Sequence, residues 1–150
     1  MLDYGDENVF KFETLSQMNE FISKYENKNI LSTLGSNNLE EIKAMSKKNN
    51  LFVRILPTTA SIQKAENLGY LPKNIIAMQG PFTENMNIAM MEQFNIKYLI
   101  TKKAGDTGGE REKVSACDKL DVEIVYLEKK EIIYKNCYKD IDILIENLIQ

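Results

Sequence analysis

Histidine is missing from all 150 residues of this sequence. Its absence removes the usual general base, the usual zinc ligand and every nucleophile arrangement that pairs serine or cysteine with histidine. The composition therefore argues against a hydrolase of that kind and against a zinc enzyme, and no metal site is expected. Two classes stay open: an enzyme whose bound cofactor supplies the chemistry, and a pure binding module.

Cysteine and long apolar runs are also scarce. The two cysteines, Cys117 and Cys137, stand alone without a CxxC motif, and no apolar run reaches the length of a membrane span. The first ten residues lack the basic and apolar regions of a secretory signal. We therefore expect a reduced, cytoplasmic protein without a membrane partner.

Positive charge is not in excess either. The formal net charge is −3 and the sequence pI is about 5.2, which gives no electrostatic footprint for nucleic acid. Apolar residues make up 43% and charged residues 27% of the chain, as is ordinary for one globular domain with a proper core. No linker or low-complexity tract divides the sequence, so a single domain is expected.

The pattern that is present alternates short apolar runs with amphipathic helical stretches. Each unit takes roughly 22 to 26 residues, as expected of consecutive strand–helix units with right-handed crossovers. This alternation predicts an α/β fold, a doubly wound parallel sheet of about five strands, Rossmann-like or flavodoxin-like. The predicted strands lie at residues 29–33, 51–56, 75–78, 98–100 and 121–127, with possible edge strands at 9–12 and 132–134. The predicted helices lie at about 15–25, 39–45, 60–68, 83–94, 110–120 and 139–148.

Four turns follow the carboxyl ends of the predicted strands, after Thr33, Leu56, Met78 and Thr101. Because parallel strands point the same way, these turns emerge at one edge of the sheet. Ligands of such sheets bind at that edge. The edge is therefore the candidate binding surface.

The last of these turns is rich in glycine, since residues 105–109 read Gly-Asp-Thr-Gly-Gly. Its glycines let backbone N–H groups approach an anion. The turn matches neither the GxGxxG fingerprint nor the P-loop, so a loop without a ligand stays an open alternative. The flanking Lys102, Lys103, Arg111 and Lys113 favour an anion, although nearby acidic residues offset part of that charge.

Three polar residues near the strand ends have both a functional and a structural interpretation. Lys102 closes a strand, where a partly desolvated lysine can donate a proton with a shifted pKa, or it is a solvated surface lysine. Gln79 can orient an amide, a ring nitrogen or a carboxylate, or it satisfies loop backbone. Arg54 interrupts an apolar strand and needs a partner, either a ligand or a core carboxylate.

Methionine recurs in and around the helix at 83–94. Its flexible side chain adapts to irregular spaces. Four methionines are therefore expected to fill gaps in the core or between domains: Met78, Met86, Met90 and Met91.

The stretch from Ile75 to Lys113 carries a family resemblance. Ile-Ile-Ala-Met-Gln-Gly-Pro-Phe-Thr is followed, within one helix and one strand, by Thr-Lys-x-x-Gly, Gly-Gly and a lysine. Together with Thr-Leu-Gly-Ser at 33–36 and Arg-Ile-Leu-Pro-Thr at 54–58, these motifs make the chain resemble the precorrin-6A reductases, including the cobalt-precorrin-6A reductases. That family reduces one double bond of a corrin precursor with NAD(P)H in cobalamin biosynthesis.

The resemblance implies roles for residues at the sheet edge. The substrate, precorrin-6A or cobalt-precorrin-6A, carries many acetate and propionate groups, which favours a positive rim of Arg54, Lys102, Arg111 and Lys113. Lys102 is the expected catalytic residue. The residues expected to bind the cofactor, NADPH or NADH, are Gln79, Gly80, Pro81, Gly108 and Gly109. Those expected to bind the substrate are Thr33, Gly35, Ser36, Arg54, Thr58, Phe82, Thr101 and Lys113.

The chain departs from the family pattern in detail and in extent. Lys103 and Ala104 stand where relatives usually have aspartate and serine, and Asn85 stands where glutamate is common. Family members resemble two-domain enzymes with the active site between the halves, and nothing here matches the first half with its nucleotide loop. Residues 1–150 are therefore expected to be a C-terminal domain whose partner is the missing N-terminal domain.

A stand-alone flavodoxin-like binding or regulatory module is the competing interpretation. A phosphoacceptor receiver domain also places a lysine at the end of a late strand. The early strand ends here lack the acidic cluster that holds its magnesium, so this version is disfavoured.

Overall fold

The computed structural model describes residues 8–103 and 109–128. The strands are β1 (Val9–Phe12), β2 (Asn29–Ser32), β3 (Asn50–Ile55), β4 (Ile75–Ala77), β5 (Tyr98–Lys102) and β6 (Glu123–Leu127). The helices are α1 (Leu15–Ile22), α2 (Leu39–Ile42), α3 (Thr59–Asn67), α4 (Glu84–Gln93) and α5 (Glu110–Leu120). Two short 3₁₀ helices lie at Lys43–Lys47 and Pro72–Asn74.

The strands form one parallel sheet in the order β1-β6-β5-β2-β3-β4. The predicted α/β class with a doubly wound parallel sheet is confirmed. The described part of the sheet has six strands, because the weak alternation at 9–12 does form an edge strand. The predicted strand at 132–134 and helix at 139–148 lie outside the described residues.

The order of the strands reverses between β2 and β5. From β2 the chain builds outward through β3 and β4, then returns to the other side of β2 with β5 and β6. The connections that leave β2 and β5 therefore run to opposite sides, which opens a crevice at the carboxyl ends of these two strands.

Each face of the sheet is covered by its own helices. One core joins α1, α2 and α3 to the strand residues that include Ile30, Val53 and Ile100. The other joins α4 and α5 to the alternate residues, among them Leu31 and Leu99. Successive side chains of a strand point to opposite faces, so a residue's place in this alternation decides which helices cover it.

Three of the five described α-helices begin with ordinary capping chemistry. Thr14, Thr58 and Thr83 each accept a hydrogen bond from the backbone N–H three residues on, and Thr14 completes a capping box with Gln17. Asn38 makes no such bond. The predicted helix at 39–45 is consequently a single α turn that tightens into a 3₁₀ helix.

The amino edge of the sheet is closed by asparagine side chains. Asn74 Nδ2 donates to Asn50 Oδ1 at 2.8 Å, and Asn50 Nδ2 donates to Asn29 Oδ1 at 3.3 Å. Asn29 Nδ2 in turn donates to the carbonyl oxygen of Phe94 at 3.0 Å. These bonds satisfy backbone and side-chain groups at this edge, so it offers less to a ligand than the opposite edge.

The methionines divide between core and surface. Met90 and Met91 are buried as predicted, whereas Met78 and Met86 are 38% and 40% exposed. The prediction of core packing is wrong for the latter two, because both precede the buried stripe of α4; their interdomain alternative stays a prediction. No helix among the described residues has both the length and the apolar character needed to cross a membrane.

Candidate active site at the carboxyl edge of the sheet

A row of three polar side chains crosses the carboxyl ends of β3, β2 and β5. Ser32 pairs with Val53 on one side and with Ile100 on the other, so the next residues in register are Arg54, Thr33 and Thr101. By the two-residue alternation all three continue the face covered by α4 and α5. The sequence predicted each of them as a substrate-binding residue, and the sheet brings them together.

Lys113 reaches this row from α5. Its Nζ donates to Thr101 Oγ1 at 2.9 Å and to Thr33 Oγ1 at 3.5 Å, although Thr33 lies 80 residues earlier in the chain. Thr33 is itself fixed, because its backbone N–H and its hydroxyl both donate to the carbonyl oxygen of Ile100. The ammonium group therefore spans the crevice where the strand order reverses.

The environment of Lys113 disfavours its charge. Desolvation lowers the pKa of Lys113 to about 8, with a further lowering by the positive charge of Arg54 and a smaller one by Lys102. Glu110 and Cys117 act in the opposite direction without reversing the shift. A lysine of this kind is charged at neutral pH but gains considerably from an anion.

Arg54 lies at the end of the row on β3 and is 7% exposed. Its Nη1 donates to Asn87 Oδ1 at 2.8 Å and lies 3.5 Å from Met90 Sδ, and its guanidinium stacks 3.9 Å from the centre of the Phe82 ring. Burial lowers the pKa of Arg54 to about 10, which leaves it charged at neutral pH. The core carboxylate considered as its partner is not there among the described residues; a neutral amide and an aromatic face take its place.

The positive charge of the row is not balanced within the described part of the chain. None of the ion pairs found there includes Arg54 or Lys113, and each of these cations is anchored by neutral side chains alone. Burying two uncompensated cations side by side costs free energy. Such a cost is typical of a site that is completed by an anionic ligand.

The turn between β4 and α4 borders this cluster. Gln79, Gly80 and Pro81 are exposed, and Gln79 makes no side-chain hydrogen bond with the residues that the structure describes. A Cβ placed on Gly80 would come within 3.1 Å of the Phe82 ring, so a larger residue would push the ring away from the position where it stacks on Arg54. Gly80 thus has a packing role besides the predicted cofactor contact.

The amino end of α5 is bare but flanked by acids. Gly109 takes a left-handed conformation with φ of 75° and offers no side-chain cap, which leaves the first N–H groups of the helix open. Glu110 and Glu112 occupy the first turn and oppose an anion of high charge there. Gly108, the other predicted glycine of this turn, lies outside the described residues.

The remaining predicted substrate-binding residues lie in the turns after β2 and β3. Gly35 has φ of 83° and no atom within 4 Å of an added Cβ, so it lines open space. Ser36 is half-buried and its Oγ accepts from Ser61 Oγ at 3.4 Å. Thr58 accepts from the backbone N–H of Ser61 and is therefore used as the helix cap of α3. Its hydroxyl keeps its proton and one lone pair for a ligand.

Lys102 and Arg111 are more exposed than their partners in the predicted rim. Lys102 ends β5 with an exposed side chain, so the partial desolvation expected of it belongs instead to Lys113. Arg111 is exposed, and no contact with the row is seen among the described residues. Of the four residues of the predicted rim, Arg54 and Lys113 belong to the row, whereas Lys102 alternates to the other face at the end of β5 and acts on Lys113 only through its charge.

Asn87 contacts this cluster but was not among the predicted site residues. It is buried on α4, accepts from Arg54 and donates to the carbonyl oxygen of Thr83 at 3.0 Å. The signal was available, because Asn87 falls on the same helical stripe as Met90, Met91 and Phe94. A polar residue on an apolar stripe needs a polar partner, as Arg54 does on its apolar strand.

Comparisons with known proteins agree with the fold and with the motifs. The family model "Precorrin-6x reductase CbiJ/CobK" matches residues 3–148. The curated cobalt-precorrin-6A reductase of Methanothermobacter thermautotrophicus is 36% identical over 103 residues, which are 69% of this chain and 34% of the relative. That of Methanococcus maripaludis is 36% identical over 128 residues, 85% of this chain and 50% of the relative.

A solved structure described as CobK precorrin-6A reductase has the same fold. Its TM-score is 0.67 at 14% sequence identity, and the match covers 87% of this chain and 50% of that one. The chain thus spans between about a third and a half of the length of these relatives. The match over residues 3–148 covers nearly the entire sequence, and the chain belongs to the precorrin-6x reductase family CbiJ/CobK.

Proposed function

We propose that this chain forms one half of an NAD(P)H-dependent precorrin-6A or cobalt-precorrin-6A reductase of cobalamin biosynthesis. In that reaction one double bond of the corrin precursor receives a hydride and a proton. The relatives that cover most of this chain carry the name cobalt-precorrin-6A reductase. Their greater length supports a second domain across the crevice, N-terminal to this one.

One observation carries the proposal, the cationic row of Arg54, Thr33, Thr101 and Lys113 at the point where the strand order reverses. Ligands of open α/β sheets bind at such points. A corrin precursor is a polycarboxylate, and its acid groups need cations or N–H donors to replace their water. The row supplies both at the predicted edge.

The residues of the β4–α4 turn fit one part of a nicotinamide cofactor better than another. The exposed amide of Gln79, beside the turn at Gly80 and Pro81, can pair with a carboxamide through both a donor and an acceptor. The open N–H groups after Gly109 are flanked by Glu110 and Glu112, which disfavour a diphosphate at that helix end. We therefore assign the nicotinamide end to this half. When bound, the cofactor supplies the hydride.

Lys102 is proposed as the proton source. It ends β5 at the ligand edge with an exposed side chain, and the charge of Lys102 is felt by Lys113 in the row. An exposed ammonium beside a bound macrocycle can protonate the carbon that becomes electron-rich on reduction. Gln79 positions and does not transfer a proton.

A chimera tests this function. The matching half of the Methanococcus maripaludis relative is replaced by this chain, and consumption of NADPH or NADH is followed with cobalt-precorrin-6A and with metal-free precorrin-6A. We expect reduction of one of the two substrates. Lys102→Ala should lower kcat by about 10²-fold, as is usual for a positioned acid.

Lys97→Ala is the matched control, because Lys97 is exposed before the opposite end of the same strand. It should leave kcat unchanged. A folded chimera that reduces neither substrate argues against the function. Activity that is insensitive to Lys102→Ala would reduce Lys102 to a surface residue and leave the proton to water or to the other half.

A further inference from the structure

We propose that Arg54 and Lys113 form a subsite for a single carboxylate group, held between the guanidinium and the ammonium at the switch point of the sheet. The inference deepens the proposed function, on which it rests for the identity of the natural ligand. The binding of a carboxylate can be measured without any reductase activity. Free donors on Arg54, unbalanced positive charge, nearby acidic residues and access from solvent support the carboxylate subsite.

The Arg54 guanidinium has donors that no acceptor among the described residues uses. Of the guanidinium nitrogens of Arg54, only Nη1 donates to an acceptor among the described residues, Asn87 Oδ1. Nε and Nη2 have no acceptor among the described residues. Two adjacent N–H groups of arginine form the planar fork that a carboxylate binds with both oxygens.

Arg54 and Lys113 carry positive charge that no carboxylate among the described residues balances at ion-pair distance. The positive charge of Arg54 lowers the pKa of Lys113, and the anchors of both cations are neutral: Asn87, Phe82, Thr33 and Thr101. An internal carboxylate would remove this cost, but among residues 8–103 and 109–128 none lies within ion-pair distance of either cation. A bound carboxylate between the two cations would interact favourably with both of them.

The acidic residues near Lys113 and the planar fork of Arg54 favour a carboxylate over a phosphate as the ligand. Glu110, in the first turn of α5, is close enough to act electrostatically on Lys113, and Glu112 lies in the same turn. Two flanking negative charges tolerate a monoanion better than a dianion. The planar fork of Arg54 also matches the planar carboxylate, whereas a tetrahedral group gains more from several converging N–H groups.

The subsite is accessible to a ligand, and the orientation of the Arg54 guanidinium is fixed before the ligand binds. Lys113 and Phe82 are both partly exposed, so the cluster opens to solvent between α5 and the β4–α4 turn. Phe82 stacks on the guanidinium and Asn87 holds its edge, which keeps the fork in one orientation before the ligand arrives. A site that is ordered in advance loses less entropy on binding.

The probe is sodium propionate, added to the 150-residue chain at constant ionic strength set with chloride. Binding is followed by the NMR shifts of the arginine side-chain N–H groups and of the backbone amides of β2, β5 and α5. Propionamide is the neutral control of the same shape, and inorganic phosphate separates a carboxylate subsite from a phosphate subsite. We expect saturable shifts with propionate, none with propionamide, and affinity at least tenfold weaker for phosphate.

Variants and pH provide the second arm. Arg54→Met and Lys113→Met should each weaken propionate binding by at least tenfold, with Lys97→Met as the control that keeps it. On the wild type, affinity should fall as pH rises from 7 to 9.5, because Lys113 loses its proton. The charged or titratable groups that act on Lys113 are Arg54, Lys102, Glu110 and Cys117. The pH titration uses the wild-type chain alone. It therefore tests the proposal even if the Arg54→Met variant folds poorly.

The outcomes are distinct. Absence of propionate shifts, shifts that propionamide reproduces, or tighter binding of phosphate would each overturn the carboxylate subsite. Propionate binding that survives both Arg54→Met and Lys113→Met would also overturn it, by placing the anion elsewhere. Binding in the chain together with an inactive chimera would retain the subsite and reject the reductase.

Discussion

At the scale of the residue, the burial of Lys113 is the most consequential feature of the site. Two lysines stand near the end of β5, Lys102 in sequence and Lys113 in space, and the helix that covers this face desolvates only the second. Its hydrogen bonds to Thr33 and Thr101 keep it in the crevice. The energetic cost of holding a charge there should be visible in the stability of the chain.

Stability should rise with pH between about 8 and 10.5 through Lys113. The pKa of Lys113 is about 8 in the folded chain against an ordinary value of 10.5, so in this window the unfolded chain binds more protons than the folded one. Below pH 8 the lysine is charged in both states and the full cost is present. Above 10.5 it is neutral in both and the cost is gone.

The measurement is urea unfolding of wild type and Lys113→Met from pH 7 to 10. The difference in unfolding free energy, wild type minus variant, should increase with pH by at most about 3 kcal/mol. Parallel curves would mean that Lys113 is not desolvated in solution. The comparison removes the contributions of groups that do not interact with Lys113, which are the same in both proteins.

At the scale of the element, the two edges of the sheet have opposite designs. The amino edge ties β2, β3 and the segment before β4 together through Asn29, Asn50 and Asn74. The carboxyl edge gathers cations on neutral anchors. The hydrogen-bonding groups of the amino edge are satisfied internally, and the carboxyl edge is where we propose that a ligand binds.

Asn74→Ala should therefore lower stability without affecting anion binding. Asn74 is buried, and its removal leaves Asn50 Oδ1 without its donor, at a cost of about 1 kcal/mol. Asn67→Ala is the matched control, because the side chain of Asn67 bonds only Gln63 among the described residues, on the exposed surface of α3. This substitution should change stability by less than about 0.5 kcal/mol. Urea unfolding and the propionate titration check both. A loss of propionate binding in Asn74→Ala would contradict the division between the edges.

At the scale of the whole molecule, the crevice is built from one side. The described residues supply the cations of the row and the exposed Gln79–Pro81 turn. The chain spans between about a third and a half of its relatives' length. Hydride transfer requires donor and acceptor carbons to be held at near-contact distance. We infer that contacts from a second domain are needed for that geometry.

The purified 150-residue chain should accordingly bind cobalt-precorrin-6A weakly and not reduce it. The check is a fluorescence or absorbance titration with the substrate, followed by an assay of NADPH consumption under the same conditions. Steady turnover by this chain would show that one half is sufficient. Absence of binding would place the substrate contacts in the other half.

Local pattern determined much of the fold. The two-residue and helical periodicities located the strands and helices, and the described α-helices begin and end within about three residues of their predicted bounds. Since consecutive strand–helix units force parallel strands, the sequence also determined that Thr33, Arg54, Gln79 and Thr101 would share one edge. None of this needed knowledge of which strands are neighbours.

The strand order and the solvent exposure of each side chain were decided by the tertiary structure. Periodicity is local and carries no information on the reversal between β2 and β5, which sets Thr33 beside Thr101. It likewise gives no account of Lys113 reaching a residue 80 positions away or of Arg54 meeting Asn87 in place of a carboxylate. Desolvation depends on the element that packs above a residue, and only the folded chain brings α5 over the crevice and leaves Lys102 in water.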